Sequence, residues 1–204
     1  MEPRVGQVER IGLTFLSQLD RTLQEGDGRA GLRLPEERDA EAVAKAVAGQ
    51  DCVAHVAFII HPHTEADPEG SEAVNVGGTQ NLLNAAAAQP TPPRFLFCSS
   101  YHVHRHHADG PHPIGTDAAT DATDVYALHK IECERRVRAS QLPWSILRLS
   151  SVMTDRKLDK ATLAVMYDIP LATRFEMCHP ADVGLAFANA VTAPDLEGKT
   201  LFIG

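Results

Sequence analysis

The segment "DCVAHVAFII" (residues 51–60) indicates the fold class, because it is a continuous apolar run of the length expected for a buried strand. It follows "AEAVAKAVAG" (40–49), in which apolar residues recur at helical spacing and a glycine ends the pattern. A strand that is apolar on both faces needs helices above and below its sheet. The two segments together therefore predict an α/β domain with a parallel sheet.

The chain after this point keeps the same alternation of helix and strand. Because right-handed crossovers connect parallel strands, the pattern predicts a three-layer, doubly wound sheet whose ligands bind at the carboxyl ends of the strands. The length of 204 residues suits one domain covering 1–204. The predicted helices are 72–89, 124–140 and 180–193, and the predicted strands are 94–100, 144–152 and 199–204.

The amino-terminal segment "RVGQVERIGLTFLSQL" (4–19) leaves two interpretations open. It is either a phosphate-binding glycine loop followed by a helix, or an amphipathic helix with two glycines nearby. Gly6 and Gly12 occupy the first and last positions of G-x-x-G-x-x-G, and Glu9 occupies the middle one. In the first interpretation the first strand has to lie in residues 1–6, so we expect this part of the sheet to be incomplete.

Composition and charge exclude several classes of function. A net charge of −8 argues against general nucleic-acid binding, which needs a basic face. No apolar run approaches the roughly 18 residues of a membrane span, and the first residues lack the apolar centre of a secretory signal. We therefore expect a cytoplasmic protein. The four cysteines form no C-x-x-C pair, which favours buried free thiols over disulfides.

One helical segment carries a candidate catalytic pair. Tyr126 and Lys130 stand four residues apart, so they share a helix face and the ammonium can lower the pKa of the phenol from its usual value near 10. This spacing also occurs on ordinary surface helices. The strand 94–100 ends in Ser99 and Ser100, where the carboxyl end of a parallel strand delivers side chains to a ligand. A serine and a tyrosine placed there favour proton transfer to a substrate oxygen.

In sequence order, six segments resemble the extended short-chain dehydrogenase/reductases, also called the NAD-dependent epimerase/dehydratase family. The resemblance implies a Rossmann-like fold and an NAD(P)-dependent oxidoreductase, epimerase or dehydratase. Its substrate would be a small molecule or nucleotide sugar, and the reaction would take place at a hydroxyl or carbonyl carbon. Arg148 and Asp182 match positions that are usually structural in that family. The six segments are "DCVAHVA", "NVGGTQNLLNAA", "FLFCSS", "YALHKIECE", "WSILRLSSV" and "HPADVGLAFANAV".

The resemblance also implies roles for individual residues. Tyr126 would be the general acid/base, Lys130 would lower its pKa and bind the nicotinamide ribose, and Ser100 would orient the substrate oxygen, with Ser99 the less favoured alternative. Glu36 falls near the family's adenine-contacting position, and the choice between NAD and NADP stays open. The implied cofactor-binding residues are Gly6, Gly12, Glu36, Val56, Ala57, Phe58, Asn75, Tyr126 and Lys130.

Two departures from the family pattern support an alternative function. Glu9 at the middle glycine would crowd and repel a pyrophosphate. The family also continues into a substrate lid, for which only residues 153–176 are candidates here. The alternative is a non-catalytic, cofactor-sensing or structural relative with an impaired dinucleotide loop. In either case the family's helix pairing implies a homodimer through the helices at 72–89 and 124–140.

The histidine-rich segment "YHVHRHHADGPH" (101–112) raises the question of a metal site. Imidazole is a good zinc ligand, but the segment has no cysteine partner at zinc-like spacing. It follows the strand that carries Ser100, where the resemblance implies a variable loop. We therefore expect a polar loop and no metal.

Overall fold

A parallel sheet forms the centre of the molecule. The computed structural model describes residues 11–14, 39–105, 113–152, 167 and 176–204. Within these residues, β1, β2, β3, β4 and β7 form one parallel sheet in that order, while β5 and β6 form a separate parallel pair. The strands are β1 (Ile11–Thr14), β2 (Cys52–His55), β3 (Arg94–Ser100), β4 (Trp144–Leu149), β5 (Ser151–Val152), β6 (Met177–Cys178) and β7 (Lys199–Ile203).

Helices connect the strands as the sequence pattern predicts. Asp39, Asp124 and His179 each cap the start of a helix by accepting a hydrogen bond from a backbone N–H of its first turn. The helices are α1 (Ala40–Val47), α2 (His63–Ala66), α3 (Pro68–Glu72), α4 (Gly78–Ala87), α5 (Val125–Ala139) and α6 (Pro180–Thr192), with a π-helical turn at Ala73–Gly77 and 3₁₀ turns at Tyr101–Val103 and Pro194–Leu196.

Alternation along β3 divides the core between the two faces of the sheet. Phe95 and Phe97 pack with the buried side chains of α1, α4 and α5. Leu96 and Cys98 pack on the opposite face with Phe187 and other residues of α6. Successive strand residues point to opposite faces, so both faces of the sheet are covered. This arrangement confirms the predicted three-layer, Rossmann-like α/β fold.

The position of β1 corrects the amino-terminal prediction. Within the described residues the first strand is Ile11–Thr14, which pairs in parallel with β2, and residues 1–6, where the sequence places a strand, lie outside the described residues. Gly12 is therefore a strand residue opposite Val53, and the interpretation of this stretch as a loop followed by a helix is wrong for residues 11–14. The physical reason is that this short segment continues the hydrogen-bond ladder of a buried strand. Gly6, Glu9 and Glu36 lie outside the described residues.

The predicted helix at 72–89 is interrupted near its start. The π-helical turn at Ala73–Gly77 separates α3 from α4, so the turns of the helix are wider around Asn75. The Asn75 carbonyl accepts a hydrogen bond from the Thr79 hydroxyl (2.6 Å) and another from the Cys133 thiol (3.4 Å). Two side chains thus supply hydrogen bonds to the Asn75 carbonyl within the irregular turn.

All four cysteines are buried free thiols, which confirms the prediction. Burial raises the pKa of Cys52 to about 11 and that of Cys133 to about 11. Burial also raises the pKa of Cys98. Across the described ranges, no helix combines the length and the apolar character needed to cross a membrane.

Candidate active site

A cavity of about 700 Å³ opens where β2, β3 and β4 end. It lies at the carboxyl edge of the parallel sheet, where ligands of doubly wound folds bind. Ser100, Tyr126 and Lys130, which the sequence proposes as catalytic residues, all line it, together with Val56 and Phe58 from the segment after β2. The structure therefore brings together residues from three separate parts of the chain.

Tyr126 enters the cavity from the first turn of α5. Asp124 fixes this turn, because its Oδ1 accepts a hydrogen bond from the Ala127 N–H at 3.0 Å. The Tyr126 ring meets the rings of Phe58 and His102 edge-on, with centroids 5.8 and 5.9 Å away. Burial raises the pKa of Tyr126 above its usual value of 10, and the hydrogen bond with Ser100 offsets only part of that increase. The phenol is therefore protonated at neutral pH.

Lys130 contacts a backbone carbonyl and an aromatic ring at the cavity. Its buried Nζ donates a hydrogen bond to the Cys98 carbonyl at 2.7 Å and lies 3.5 Å from the centroid of the Phe58 ring. The ammonium is farther from the Tyr126 ring, at 5.8 Å from its centroid. Burial has the largest effect on the pKa of Tyr126, and the lowering of that pKa by Lys130 stays a prediction.

The two serines that end β3 have different partners. Ser100 Oγ accepts a hydrogen bond from the His102 N–H at 3.2 Å beside the cavity. Ser99 is buried, and its hydroxyl donates to Glu134 Oε1 at 2.6 Å. Since Ser99 is committed to a carboxylate, the geometry favours Ser100 as the serine that orients a ligand.

A buried ion-pair network lies behind the cavity and consists of Ser99, His104, Glu134 and Arg148. Arg148 donates to both oxygens of Glu134, from Nε at 2.9 Å and from Nη2 at 2.7 Å. Its Nη1 donates to His104 Nε2 at 2.9 Å, so His104 is neutral and its Nδ1–H donates to the Ala119 carbonyl at 2.8 Å. Burial alone would raise the pKa of Glu134, but the hydrogen bonds from Arg148 and Ser99 lower it. Arg148 is thus structural, as the resemblance implies.

The remaining predicted cofactor residues are divided between the cavity and its support. Val56 and Phe58 line the cavity, whereas Ala57 is buried between them. Asn75 holds the segment after β2 in place, since its Oδ1 accepts from the Ile59 N–H at 2.7 Å and its Nδ2 donates to the Ile59 carbonyl at 3.0 Å. The structure therefore places Asn75 as a positioning residue for the cavity wall.

Sequence reasoning missed two histidine–carboxylate pairs that line the cavity. His102 Nε2 lies 3.1 Å from Asp124 Oδ2, and His61 Nδ1 lies 2.8 Å from Glu65 Oε2. The signal for His102 was its place two residues after Ser100, at the carboxyl end of the strand. The neighbouring His104 points away from it into the ion-pair network. The other histidines of this segment, His106, His107 and His112, lie outside the described residues.

Ser150 is a further residue that the sequence did not reveal. It follows β4, lines the cavity and is buried. Within the described ranges its Oγ has no hydrogen-bond partner. A buried hydroxyl without a partner is costly, which makes Ser150 a candidate for contact with a ligand.

Comparison with known proteins identifies the family. A family described as NAD(P)H-binding matches residues 20–194, and the chain belongs to it. The L-arabinose 1-dehydrogenase (NAD(P)(+)) of Haloferax volcanii is 36% identical over 90 residues, which cover 43% of this chain and 34% of that protein. This chain therefore matches only about a third of that relative's length.

Several solved structures share the fold. The dTDP-glucose 4,6-dehydratase DesIV from Streptomyces venezuelae has a TM-score of 0.75 at 22% identity, covering 98% of this chain and 67% of that one. A short-chain dehydrogenase/reductase superfamily protein from Agrobacterium tumefaciens with bound NAD has a TM-score of 0.70 at 22% identity, covering 83% and 64%. RMD from Pseudomonas aeruginosa, complexed with NADPH, has a TM-score of 0.74 at 19% identity, covering 95% and 77%. The predicted resemblance to the extended short-chain dehydrogenase/reductases is confirmed.

Proposed function

We propose that this chain binds NAD or NADP and catalyses hydride transfer at a hydroxyl or carbonyl carbon of a sugar, nucleotide sugar or similar small molecule. The observation that carries the proposal is the meeting of Ser100, Tyr126 and Lys130 in one cavity at the carboxyl edge of the sheet. The match to an NAD(P)H-binding family supports the cofactor class. The partial match to a sugar dehydrogenase supports the substrate class.

The residues of the cavity fit the nicotinamide end of a dinucleotide. Val56 and Phe58 offer an apolar wall for a planar ring, while Ser100 and Tyr126 offer hydroxyl groups to an adjoining substrate. The volume of about 700 Å³ lies within the usual range for small-molecule sites. When bound, the cofactor supplies or accepts the hydride. The part of the chain that would contact its pyrophosphate lies outside the described residues.

The chain's own residues account for the proton transfer. In the reductive direction, Ser100 orients the carbonyl oxygen of the substrate, and Tyr126 donates its phenolic proton to that oxygen as the carbon is reduced. The raised pKa of Tyr126 keeps the proton on the phenol until this step. Lys130 adds a positive charge at the cavity wall, which favours the electron-rich oxygen that forms.

Cofactor binding is the first test of the proposal. Titration with NADH and NADPH, followed by nicotinamide fluorescence and by melting temperature, should show binding of at least one of them. A cofactor at 100 times its Kd stabilises the native state by about 2.7 kcal/mol. Absence of any change with both cofactors would contradict the proposal.

Replacement of the phenol tests the chemistry. With L-arabinose and UDP-glucose as probe substrates, Tyr126→Phe should lower turnover by about 10² to 10⁴-fold, because it removes the general acid. Tyr101→Phe is the matched control, since Tyr101 lies on the neighbouring 3₁₀ turn and hydrogen-bonds Ser151. Equal turnover of Tyr126→Phe and the wild type would show that this phenol is not the proton donor.

A second candidate function is a non-catalytic relative that binds a cofactor weakly or not at all. Two observations favour it. Lys130 already binds the Cys98 carbonyl, and residues 15–25, which follow β1, contain no glycine for a phosphate loop. Weak or absent binding of both NADH and NADPH, together with no turnover of either probe substrate, would support this candidate.

We also propose that the chain is a cytoplasmic homodimer that associates through α4 and α5. Leu128 on α5 is 49% exposed, so its side chain is accessible to a partner helix. Sedimentation should give a mass twice that of the 22.1 kDa chain. Leu128→Glu should yield the monomer, whereas Leu185→Glu, on the equally accessible surface of α6, should remain dimeric. A wild-type monomer at micromolar concentration would exclude the dimer.

A further inference from the structure

The His102–Asp124 pair stands beside the proposed proton donor. His102 Nε2 lies 3.1 Å from Asp124 Oδ2, and Asp124 caps the same helix turn that presents Tyr126. The His102 and Tyr126 rings are nearly perpendicular, at 81°, with centroids 5.9 Å apart. The His102 side chain is 50% exposed, so it borders both the phenol and solvent. The 3₁₀ turn at Tyr101–Val103 and the start of α5 thus place an imidazole, a carboxylate and a phenol at the same edge of the cavity.

Because of its position, Tyr126 needs a neighbouring group that can return a proton to it. Its phenol is largely enclosed, between Phe58 on one side and His102 on another. Once it has given its proton to a substrate, it must regain one before the next turnover. Lys130 is turned towards the Cys98 carbonyl. An imidazole exchanges protons readily at neutral pH, and a carboxylate partner orients it and stabilises its charged form.

Of the two histidines in the cavity wall, His102 is the one in ring contact with the phenol. The ring contacts of Tyr126 in the described residues are with Phe58 and His102. His61 is paired with Glu65 on α2. Three titratable side chains face His102 in the described residues. Besides Asp124 and Tyr126, the third is Tyr101, whose ring centroid lies 6.1 Å from that of His102.

Resting on the proposed function, we propose that His102, oriented by Asp124, is the residue through which Tyr126 exchanges its proton with solvent. In reduction, the O–H bond of Tyr126 breaks as its proton moves to the substrate oxygen, and the phenolate then takes a proton from the imidazolium of His102, through an intervening water or the Ser100 hydroxyl. Neutral His102 recovers a proton from water at its exposed edge. Oxidation runs the same transfers in reverse, so protons balance in both directions.

Proton exchange of Tyr126 tests this relay without any substrate. Carbon-13-labelled tyrosine allows the exchange rate of the phenolic proton with water to be measured by NMR in mixtures of H₂O and D₂O. His102→Gln should slow the exchange of the Tyr126 proton, and His61→Gln should leave it unchanged. Asp124→Asn keeps an oxygen to cap α5 but removes the charge, so it should slow exchange while the protein stays folded. Equal exchange rates in the wild type and His102→Gln would overturn the relay.

The pH dependence of turnover gives the second readout. With L-arabinose or UDP-glucose as the probe, oxidation requires His102 to accept a proton, so kcat for oxidation should rise with pH. His102→Gln should lose this rise and lower kcat by about 10²-fold. An unchanged profile in His102→Gln would overturn the proposal. Failure of the proposed function appears differently, as turnover that persists in Tyr126→Phe or is absent from the wild type, and the NMR measurement then decides the relay alone.

Discussion

Two neighbouring serines belong to two very different polar assemblies. Ser99 joins the buried ion-pair network, in which each charged group has a short hydrogen bond to an oppositely charged or neutral partner. Ser100 joins the cavity, where the phenol of Tyr126 and the hydroxyl of Ser150 are held at the boundary of an open space. Strand alternation alone sends the two side chains in different directions. The buried network satisfies its own polar groups, whereas the cavity leaves the groups of Ser100, Tyr126 and Ser150 accessible to a ligand.

The largest expected effect comes from breaking the ion-pair network. Arg148→Met leaves the buried Glu134 carboxylate without its bidentate partner and should cost about 3–5 kcal/mol in free energy of unfolding, measured by urea denaturation. Arg135→Met is the control, since Arg135 forms a comparable pair with Glu132 on the exposed side of the same helix. Its removal should change stability little. Similar losses in both variants would remove the distinction between the two regions.

The adjacent serines should separate stability from activity. Ser99→Ala removes a hydrogen bond to a buried carboxylate and should lower stability by about 1.5–3 kcal/mol. Ser100→Ala should leave the free energy of unfolding near that of the wild type and lower turnover of the probe sugars. Each variant serves as the control for the other, and a loss of turnover of equal size in both would contradict the assignment of Ser100.

Acid should weaken the network by a predictable route. The pKa of Glu134 in the folded protein lies below its usual value of 4.5, so its contribution to stability is complete above that pH and is lost as the pH falls through the folded value. Glu134→Gln should therefore flatten the acid side of the stability profile. The pKa of Glu132 is also lowered, to about 2, by hydrogen bonds from Arg135 and Arg136, but this carboxylate is partly exposed. High salt should therefore weaken the contribution of Glu132 to stability and leave that of Glu134 largely unchanged.

Ser150 should show the smallest effect on stability. Because its hydroxyl has no partner within the described residues, Ser150→Ala should leave the free energy of unfolding equal to or slightly above that of the wild type. If the hydroxyl is kept for a ligand, the same variant should weaken binding of NADH or of the probe substrate. Calorimetric titration beside urea denaturation measures both. A loss of about 1 kcal/mol or more in stability would indicate a structural partner for Ser150.

Much of the fold could be predicted because its signals are local. The apolar runs that became β2, β3 and β4 lie buried on both faces, and such runs differ clearly from the helical spacing between them. The exception is β1. Gly12 fits a glycine loop in the sequence, but its pairing with Val53 depends on a strand some 40 residues away, which no local pattern records.

For the candidate site, the sequence predicted which residues lie together better than it predicted the contacts that they make. Ser100, Tyr126 and Lys130 do line one cavity, since strand ends and helix starts determine where such residues lie. The direction of the Lys130 ammonium depends on Phe58 and the Cys98 carbonyl, and the pairing of His102 depends on Asp124, 22 residues later. Side-chain directions of this kind follow from packing between elements. Spacing along the chain does not contain them.

The four buried cysteines allow the opening of the fold to be followed by their reaction with thiol reagents. Thiol reagents attack the thiolate, and the raised pKa values of Cys52, Cys98 and Cys133 make that form scarce while the chain is folded. Labelling therefore has to wait for the core to open. Cys98 differs from the other three cysteines in its position, because it borders the cavity beside Lys130. The order in which the thiols become labelled would record whether the cavity opens before the rest of the sheet, using residues that the chain already carries.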